Sequence, residues 1–475
     1  MLERFTVLRG APRELWIILG AKMLAILAYG IMNSTLVLWL SSDLGYSDIE
    51  AGDYIAVWSA VMTLCTVAVG ALVDAIGVRK ALLAGLGICL CARVVMTLAT
   101  ARWAALSLGL LPVAVGEAML TPVMVAAVRR YTSTAQRSIA FALLYALMNA
   151  GFGIANWIFD YVRAGVGERG TVAVLGMELS AYRLLFLLSF LCTAVIALIV
   201  WFLLREGVEA GDEGVTIAPA GRGADRPLLE RLRDTARNSG RIFSGLWLER
   251  AFYKFLAFLS LVVAVRLIVF HMYYTYPKFG LRELGDGAPI GRLWSINAGM
   301  IILLVPFVGA LTQRVAAYRM VVIGSLISAA SVFIMAMPPA WFQPLADGLL
   351  GDLIARRWLG IEGAVHPYYV MIALYVALLS LGEALWSPRL YEYTAAVAPK
   401  GREASYMAMS YLPFFLAKLA VGMFSGRLLD AYCPAEGPRD SQTLWLIIAL
   451  MTVTTPLGLC LFRRWISVKE AGRGP

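Results

Sequence analysis

The chain has 475 residues, of which 60% are hydrophobic and only 15% charged, and its mean hydropathy is +0.75. That composition excludes a soluble globular domain and a disordered chain, and describes an all-α integral membrane protein. The net charge of +10 is accounted for by membrane topology and lipid headgroups rather than by nucleic acid.

In chain order, continuous apolar runs fall at about 15–40, 52–73, 80–100, 104–127, 138–162 and 181–204, then at 247–276, 292–313, 319–338, 367–391, 403–430 and 443–463. A bilayer needs about 20 apolar residues per helix and admits no unsatisfied backbone in lipid, so these runs predict twelve transmembrane helices. Barrel strands would be about 10 residues long and alternating in polarity. The first run, about 26 residues, is too long for a signal-peptide core and lacks a small-residue cleavage site, so it is expected to remain as a span. With the N-terminus inside, the inside pieces carry 23 Lys and Arg and the outside pieces nine, which predicts cytoplasmic termini in an inner membrane. The resulting organisation is a six-helix bundle over 1–204, a cytoplasmic linker over 205–246 and a second six-helix bundle over 247–475.

The linker divides into two kinds of sequence. Its first half, rich in Gly, Ala and acidic residues, is expected to be flexible. From Pro227, PLLERLRDTARNSGRIF places Leu228, Leu229, Leu232 and Ala236 on one side and arginines on the other. This is either a short basic helix on the inner leaflet or a solvated connector. The connection 339–366 is either a cover for the outer mouth or an ordinary loop. Five of the six cysteines fall in predicted spans and Cys433 stands in an outer loop, so no disulfide framework is implied. Cys89 and Cys91 point apart on a helix and His271 is far from His366 in sequence, so no metal site is expected. With no nucleophile–base pair, phosphate loop or metal cluster, the chain is expected to be neither an enzyme nor a cofactor protein.

Two internal matches organise the spans. GEAMLTP at 116–122 recurs as GEALWSP at 382–388, and GALVDAIGVRK at 70–80 has a degenerate counterpart in GALTQRVAAYR at 309–319. Each pair stands at equivalent places in the two halves, which predicts two parallel six-helix repeats. Repeats that hold a solute between them and alternate its exposure suit a secondary transporter.

Charges within spans cost about 3 kcal/mol each on insertion scales and normally face a cavity or a partner. Here they are Lys22, Arg93, Glu117, Lys254, Arg266, Glu383, Arg389, Glu392 and Lys418. Glu117 and Glu383 occupy equivalent repeat positions, and Lys22 and Arg266 roughly equivalent ones, which would set a pair of acids and a pair of cations around one chamber. The plainer readings are that Lys22, Lys254, Arg389 and Glu392 snorkel from helix ends, that Arg93 pairs with a neighbouring carboxylate, and that Glu117 is the structural partner of Lys22 or Arg93. Lys418 fits a cavity or a structural pair equally. Tyr29, Asn33, Tyr145, Asn149, Asn156, Asn297 and Trp386 are candidate wall residues or interhelical packing groups. A carboxylate in a low-dielectric cavity holds its proton more tightly than in water and a nearby cation opposes this, so Glu117 and Glu383 are the candidate proton-coupling residues.

GALVDAIGVRK resembles the loop signature of the major facilitator superfamily, G-x-L-x-D-x-x-G-x-R-K, and the spans, linker and repeat resemble that superfamily over nearly the whole chain. In this loop Gly70 belongs to the signature, Gly77 permits a tight turn, Asp74 can cap a helix N-terminus, and Arg79 with Lys80 can meet helix C-terminal carbonyls and the inner leaflet. Within the superfamily the proton-dependent oligopeptide transporters are most similar. GEALWSPRL resembles their tenth helix, RLWSINAGMIILLVPFVGAL (292–311) their eighth, and RSIAFALLYALMNAG (137–151) their fifth. The resemblance implies that Glu383 faces the central cavity and meets a substrate amino group, with Asn149 and Asn297 lining the same cavity. Departures are equally plain. The family's first-helix E-x-x-E-R-F falls on Lys22 to Leu27 with its charges lost or reversed, and the fourth-helix lysine before proline, which meets peptide carboxylates in relatives, is Thr121. The extra helix pair of bacterial relatives is absent.

The expectation is therefore a monomeric, proton-coupled secondary transporter whose partners are a small polar, zwitterionic or anionic solute, protons and membrane lipids. Its substrate-binding candidates are Lys22, Tyr29, Asn33, Glu117, Tyr145, Asn149, Arg266, Asn297, Glu383 and Trp386. The alternatives are a drug-type proton antiporter and, from another class, a non-transporting membrane sensor or lipid-flipping scaffold.

Overall fold

The computed structural model describes residues 8–211, 214–217, 250–312, 315–397 and 412–466. Twelve long helices run through them: α1 (Arg13–Ser42), α2 (Asp48–Ile76), α3 (Val78–Leu98), α4 (Arg102–Arg130), α5 (Thr134–Val166), α6 (Ala181–Leu203), α7 (Arg250–Tyr274), α8 (Ile290–Leu311), α9 (Ala317–Ala336), α10 (Pro367–Val397), α11 (Leu412–Tyr432) and α12 (Ser441–Leu461). Where the residues are described, each predicted run coincides with one helix to within a few positions. Among the described residues ten of the twelve, all but α2 and α11, are long and apolar enough to cross a membrane.

Local chemistry sets the helix ends. Ser47 and Glu50 form a capping box at the start of α2: Glu50 N donates to Ser47 Oγ (3.2 Å) and Ser47 N to Glu50 Oε2 (2.9 Å). Gly77, at φ 85°, turns the chain between α2 and α3, a conformation that costs a residue with a Cβ. Ser180 caps α6 by accepting from Arg183 N (3.2 Å), and Asp440 caps α12 by accepting from Thr443 N (3.1 Å). Pro122, Pro306, Pro388 and Pro456 lie inside helices, which membrane helices tolerate better than soluble ones.

Four features depart from the sequence reading. Thr171–Val174 pairs antiparallel with Met177–Ser180 as the hairpin β1–β2, turned by Leu175 and Gly176 at φ 50° and 79°. Positive φ at both turn residues is the two-residue geometry that suits strand twist. The linker's opening, expected to be flexible, forms a second hairpin, β3 (Val208–Gly211) with β4 (Gly214–Ile217). The proposed basic helix from Pro227 lies outside the described residues. A short helix, Tyr276–Leu284, follows α7, and 339–366 folds into short helical pieces that pack on α10.

The chain forms two compact units. One unit holds Met1–Trp39, Val57–Val162 and Arg169–Ile242; the other holds Leu40–Ala56, Arg163–Glu168 and Phe243–Pro475. In the first, Arg205 Nε meets the buried Glu14 Oε1 (2.6 Å), joining the end of α6 to the start of α1. Trp39 packs edge-on against Phe186 at 5.0 Å. In the second, Phe258, Tyr318 and Tyr393 form an aromatic cluster with centroids 4.4 to 6.3 Å apart. The hydroxyls of Tyr318 and Tyr393 donate to Leu459 O and Ile466 O (both 2.6 Å).

The segment Leu40–Ala56 is pinned within the second unit by charge. Asp48 receives Lys278 Nζ at 2.6 Å and Arg282 Nη2 at 2.8 Å, and Arg427 Nη1 reaches Asp53 Oδ1 at 2.8 Å. Lys278 also donates to Ser41 Oγ. Burial raises the Asp48 carboxyl, but Lys278 and Arg282 more than reverse this and hold it below the ordinary carboxylate range. Burial also holds the Lys278 ammonium below its ordinary range despite Asp48. The directions are compatible: the aspartate has two cations, whereas the lysine shares one carboxylate with Arg282.

Candidate functional site

The two Gly-Glu motifs sit at matching helix crossings, one in each unit. A Cβ placed on Gly116 of α4 would meet Cys89 Sγ at 2.5 Å, Gly85 O at 2.9 Å and Cys89 N at 3.0 Å of α3. A Cβ on Gly382 of α10 would meet Ser328 Oγ at 2.3 Å, Gly324 O at 2.7 Å and Ser328 N at 2.7 Å of α9. The three neighbouring atoms correspond one to one, and Gly85 and Cys89 map onto Gly324 and Ser328 by the same displacement that relates 70–80 to 309–319. The glycines are there because two helix backbones touch, and each glutamate follows the contact by one residue.

The same mapping explains why the two glutamates differ. In the first unit Glu117 Oε1 is paired with Arg93 Nη2 of α3, with side-chain exposures of 5% and 1%. Arg93 Nη1 donates to Thr193 of α6, and Cys89 Sγ lies 4.0 Å from Glu117 Oε1. In the second unit the position of Arg93 is taken by the buried Val332. Glu383 therefore has no cation from α9. It instead accepts from Asn297 Nδ2 of α8 at 3.0 Å, and that amide also donates to Ser380 Oγ at 3.0 Å.

Arg266 of α7 is close enough to Glu383 for their charges to interact. Its guanidinium is sandwiched between Trp386 of α10, 4.3 Å from the ring centroid, and Phe414 of α11, at 3.7 Å. Faces of aromatic rings attract cations, and more strongly where water is excluded. Trp386 is oriented by its Nε1 donating to Ser328 Oγ (3.2 Å). Lys418 Nζ lies 5.4 Å from the Phe270 centroid, and Phe270 packs edge-on to Phe414 at 6.5 Å. Asn297, Arg266, Glu383 and Trp386 are thus brought together. Phe414 carried no sequence signal; Lys418 was visible as an intramembrane charge.

In the first unit Lys22 is fully buried and its Nζ donates to Thr121 Oγ1 at 2.9 Å. Tyr29 stacks on Trp58 (6.5 Å) and meets Phe152 edge-on (6.3 Å), a packing role. Asn33 is buried, and Asn156 accepts from Ser34 Oγ at 3.3 Å. Tyr145 and Asn149 are half-buried on α5, where Asn149 Nδ2 donates to Tyr145 O at 2.9 Å. The expected equivalence of Lys22 and Arg266 needs correction. Ser189 of α6 donates to Ala28 O (2.7 Å) and, 266 positions later, Thr455 of α12 donates to Leu261 O (2.5 Å). Matched on those carbonyls, Lys22 precedes its reference by six residues and Arg266 follows its own by five, so the cations stand at different levels. Among the plainer readings, Lys254 is exposed and Arg389 Nη2 donates to Thr312 Oγ1 (2.8 Å); the Glu392 side chain lies outside those described.

Of the loop signature, the surroundings of Gly70 and the side chain of Asp74 lie outside those described. Arg79 Nη2 donates to Trp201 O at 2.6 Å, a carbonyl of the last turn of α6, and Lys80 is exposed. A cation at a helix C-terminus satisfies carbonyls that lack an intrahelical partner. No group of three or more His, Cys, Asp and Glu able to hold a metal occurs among the described residues.

A family model described as Major Facilitator Superfamily matches residues 18–351. No curated protein sequence matches the chain. Among solved structures it is similar to a POT family transporter in complex with 5-aminolevulinic acid, at 14% identity over 97% of this chain and 98% of that one, with a TM-score of 0.70. It is similar also to the peptide transporter POT in complex with sulfate, at 14% identity over 96% of each chain and a TM-score of 0.69. A third is an auto-inhibited POT family peptide transporter, at 17% identity over 98% and 99% of the chains and a TM-score of 0.65. At these identities the likeness is one of fold.

Proposed function

Because the chain belongs to the Major Facilitator Superfamily, we propose that it is a proton-coupled secondary transporter that moves a small polar, zwitterionic or anionic organic solute across an inner membrane by alternating access. The observation that carries this reading is the contrast between the two glutamates. Glu117 is neutralised by Arg93, whereas its repeat counterpart Glu383 is held by the neutral amide of Asn297 with Arg266 nearby. A carboxylate placed this way can take up a proton or meet a solute's cationic group, and Arg266 can answer either event electrostatically. Asn297 and Trp386 orient these groups. 5-Aminolevulinic acid, bound in one of the similar POT structures, fits the proposed class.

The test is uptake into proteoliposomes of 5-aminolevulinic acid and of dipeptides, driven by an acidic exterior. Glu383→Gln is expected to lose the pH-driven component at least tenfold, and Glu117→Gln to retain more of it. Retained pH dependence in Glu383→Gln would refute the assignment.

A further inference from the structure

The connection between α9 and α10 has its hydrophobicity turned outward. It forms helical pieces over Pro339–Phe342, Gln343–Asp347, Leu349–Gly351 and Asp352–Trp358. The buried residues of these pieces, Ala346, Gly351 and Ala355, are all small. The large apolar side chains face out instead: Trp341 is 69% exposed, Leu345 41%, Leu349 72% and Leu353 43%. A Cβ on Gly351 would overlap Ala346 O, so the two halves of the segment touch through their backbones. From Leu349 on, the exposed Leu349, Leu353, Arg356 and Arg357 recur at the spacing of one helix face, and Gly351 and Ala355 at that of the opposite one.

A short helix facing water is arranged the other way, and the same unit contains one. In Tyr276–Leu284 the rings of Tyr276 and Phe279 are buried, and the exposed residues that follow are Gly285, Asp286 and Gly287. An outward row of Trp and Leu over small inward residues is stable where the surroundings are themselves apolar. The preceding span already meets such surroundings. Ile323 and Leu326 of α9 are exposed, as is Met337 just past its end, and Trp341 follows Met337 by four residues. The outward row thus carries on from a lipid-facing helix.

The row ends in positive charge. Arg357 Nε pairs with Asp352 Oδ2 at 2.8 Å, whereas Arg356 is exposed and has no ion pair among the described residues. Trp and Leu on one side with a cation at the margin match the headgroup boundary of a bilayer, where indole rings and guanidinium groups meet lipid carbonyls and phosphates.

We propose that 339–358 is a phospholipid-binding surface, lying in the headgroup layer of the leaflet at which α9 ends. Trp341, Leu345, Leu349 and Leu353 meet acyl chains there, and Arg356 meets lipid phosphate. The segment is then neither a cover for the mouth of the carrier nor a loop in water, and its role is independent of what is transported.

The test is nitroxide accessibility in phosphatidylethanolamine–phosphatidylglycerol liposomes. Leu345→Cys, Leu349→Cys, Leu353→Cys and, as the water reference, Glu362→Cys are each labelled in the full chain with its native cysteines replaced by alanine. Every label takes the place of an exposed side chain, so the fold is not at stake. Oxygen concentrates in the bilayer and a nickel chelate stays in water. Collisions with oxygen should exceed those with nickel at 345, 349 and 353, and the order should reverse at 362. Arg356→Glu, which sets a carboxylate among the phosphates, should lower the oxygen-to-nickel ratio at Leu353→Cys about twofold or more. Nickel collisions at 349 and 353 as frequent as at 362 would make the segment a water-facing loop and overturn the proposal. Few collisions with either reagent there would mean that protein covers the row, and would overturn it equally. An unchanged ratio in Arg356→Glu would refute the phosphate contact.

Discussion

Gly382→Ala tests whether the Gly-Glu repeat exists for helix contact. The added Cβ would lie 2.7 Å from both Gly324 O and Ser328 N and 2.3 Å from Ser328 Oγ. Comfortable contact for carbon is about 3.5 Å, so α9 and α10 must separate by about 0.8 Å. Ser328 cannot simply rotate away, because its Oγ accepts the buried Trp386 Nε1. Overpacking of this kind costs about 3 kcal/mol, and the gain in helix propensity from Gly to Ala returns about 1, leaving about 2 kcal/mol of destabilisation. In a thermal-unfolding scan at fixed rate in detergent this corresponds to an apparent Tm lower by about 5 °C. Gly299→Ala in α8 is the control: its Cβ meets nothing within 4 Å, so the variant should be as stable as the wild type or slightly more so. Gly116→Ala should resemble Gly382→Ala, and the two losses should add, because the crossings lie in separate units. A Gly382→Ala protein as stable as Gly299→Ala would refute the contact argument.

Arg93→Met should lower stability by about 3 kcal/mol, because it strands the buried Glu117, and adding Glu117→Gln should restore most of the loss; equal stability of single and double variants would show that the ion pair carries no weight. Asp48→Asn should also cost about 3 kcal/mol at neutral pH, since it leaves Lys278 and Arg282 facing a neutral group. The Asp48 carboxyl is depressed in the folded protein, so its stabilisation is complete above the ordinary carboxylate range and is lost as pH falls through the lower folded value. The stability gap between wild type and Asp48→Asn, followed by unfolding scans against pH, should therefore close in strong acid; a gap that stays constant would contradict the pairing.

The sequence alone located the long helices found among the described residues, because a bilayer imposes a run of about 20 apolar residues wherever the chain crosses it. It also determined the repeat. GEAMLTP and GEALWSP stayed recognisable because a glycine is required wherever two helix backbones touch, and the structure places both at such contacts. The hairpins β1–β2 and β3–β4 and the short helix Tyr276–Leu284 were missed, since they are brief and carry no apolar run. Which charge meets which was decided only by tertiary structure. Arg93 and Glu117 are 24 positions apart, Lys22 and Thr121 are 99 apart, and Asp48 and Lys278 are 230 apart. A helix that is apolar on every side gives no periodicity from which to read its buried face, so rotation about its axis is settled by packing against neighbours. That packing paired Glu117 and left its counterpart Glu383 beside Asn297.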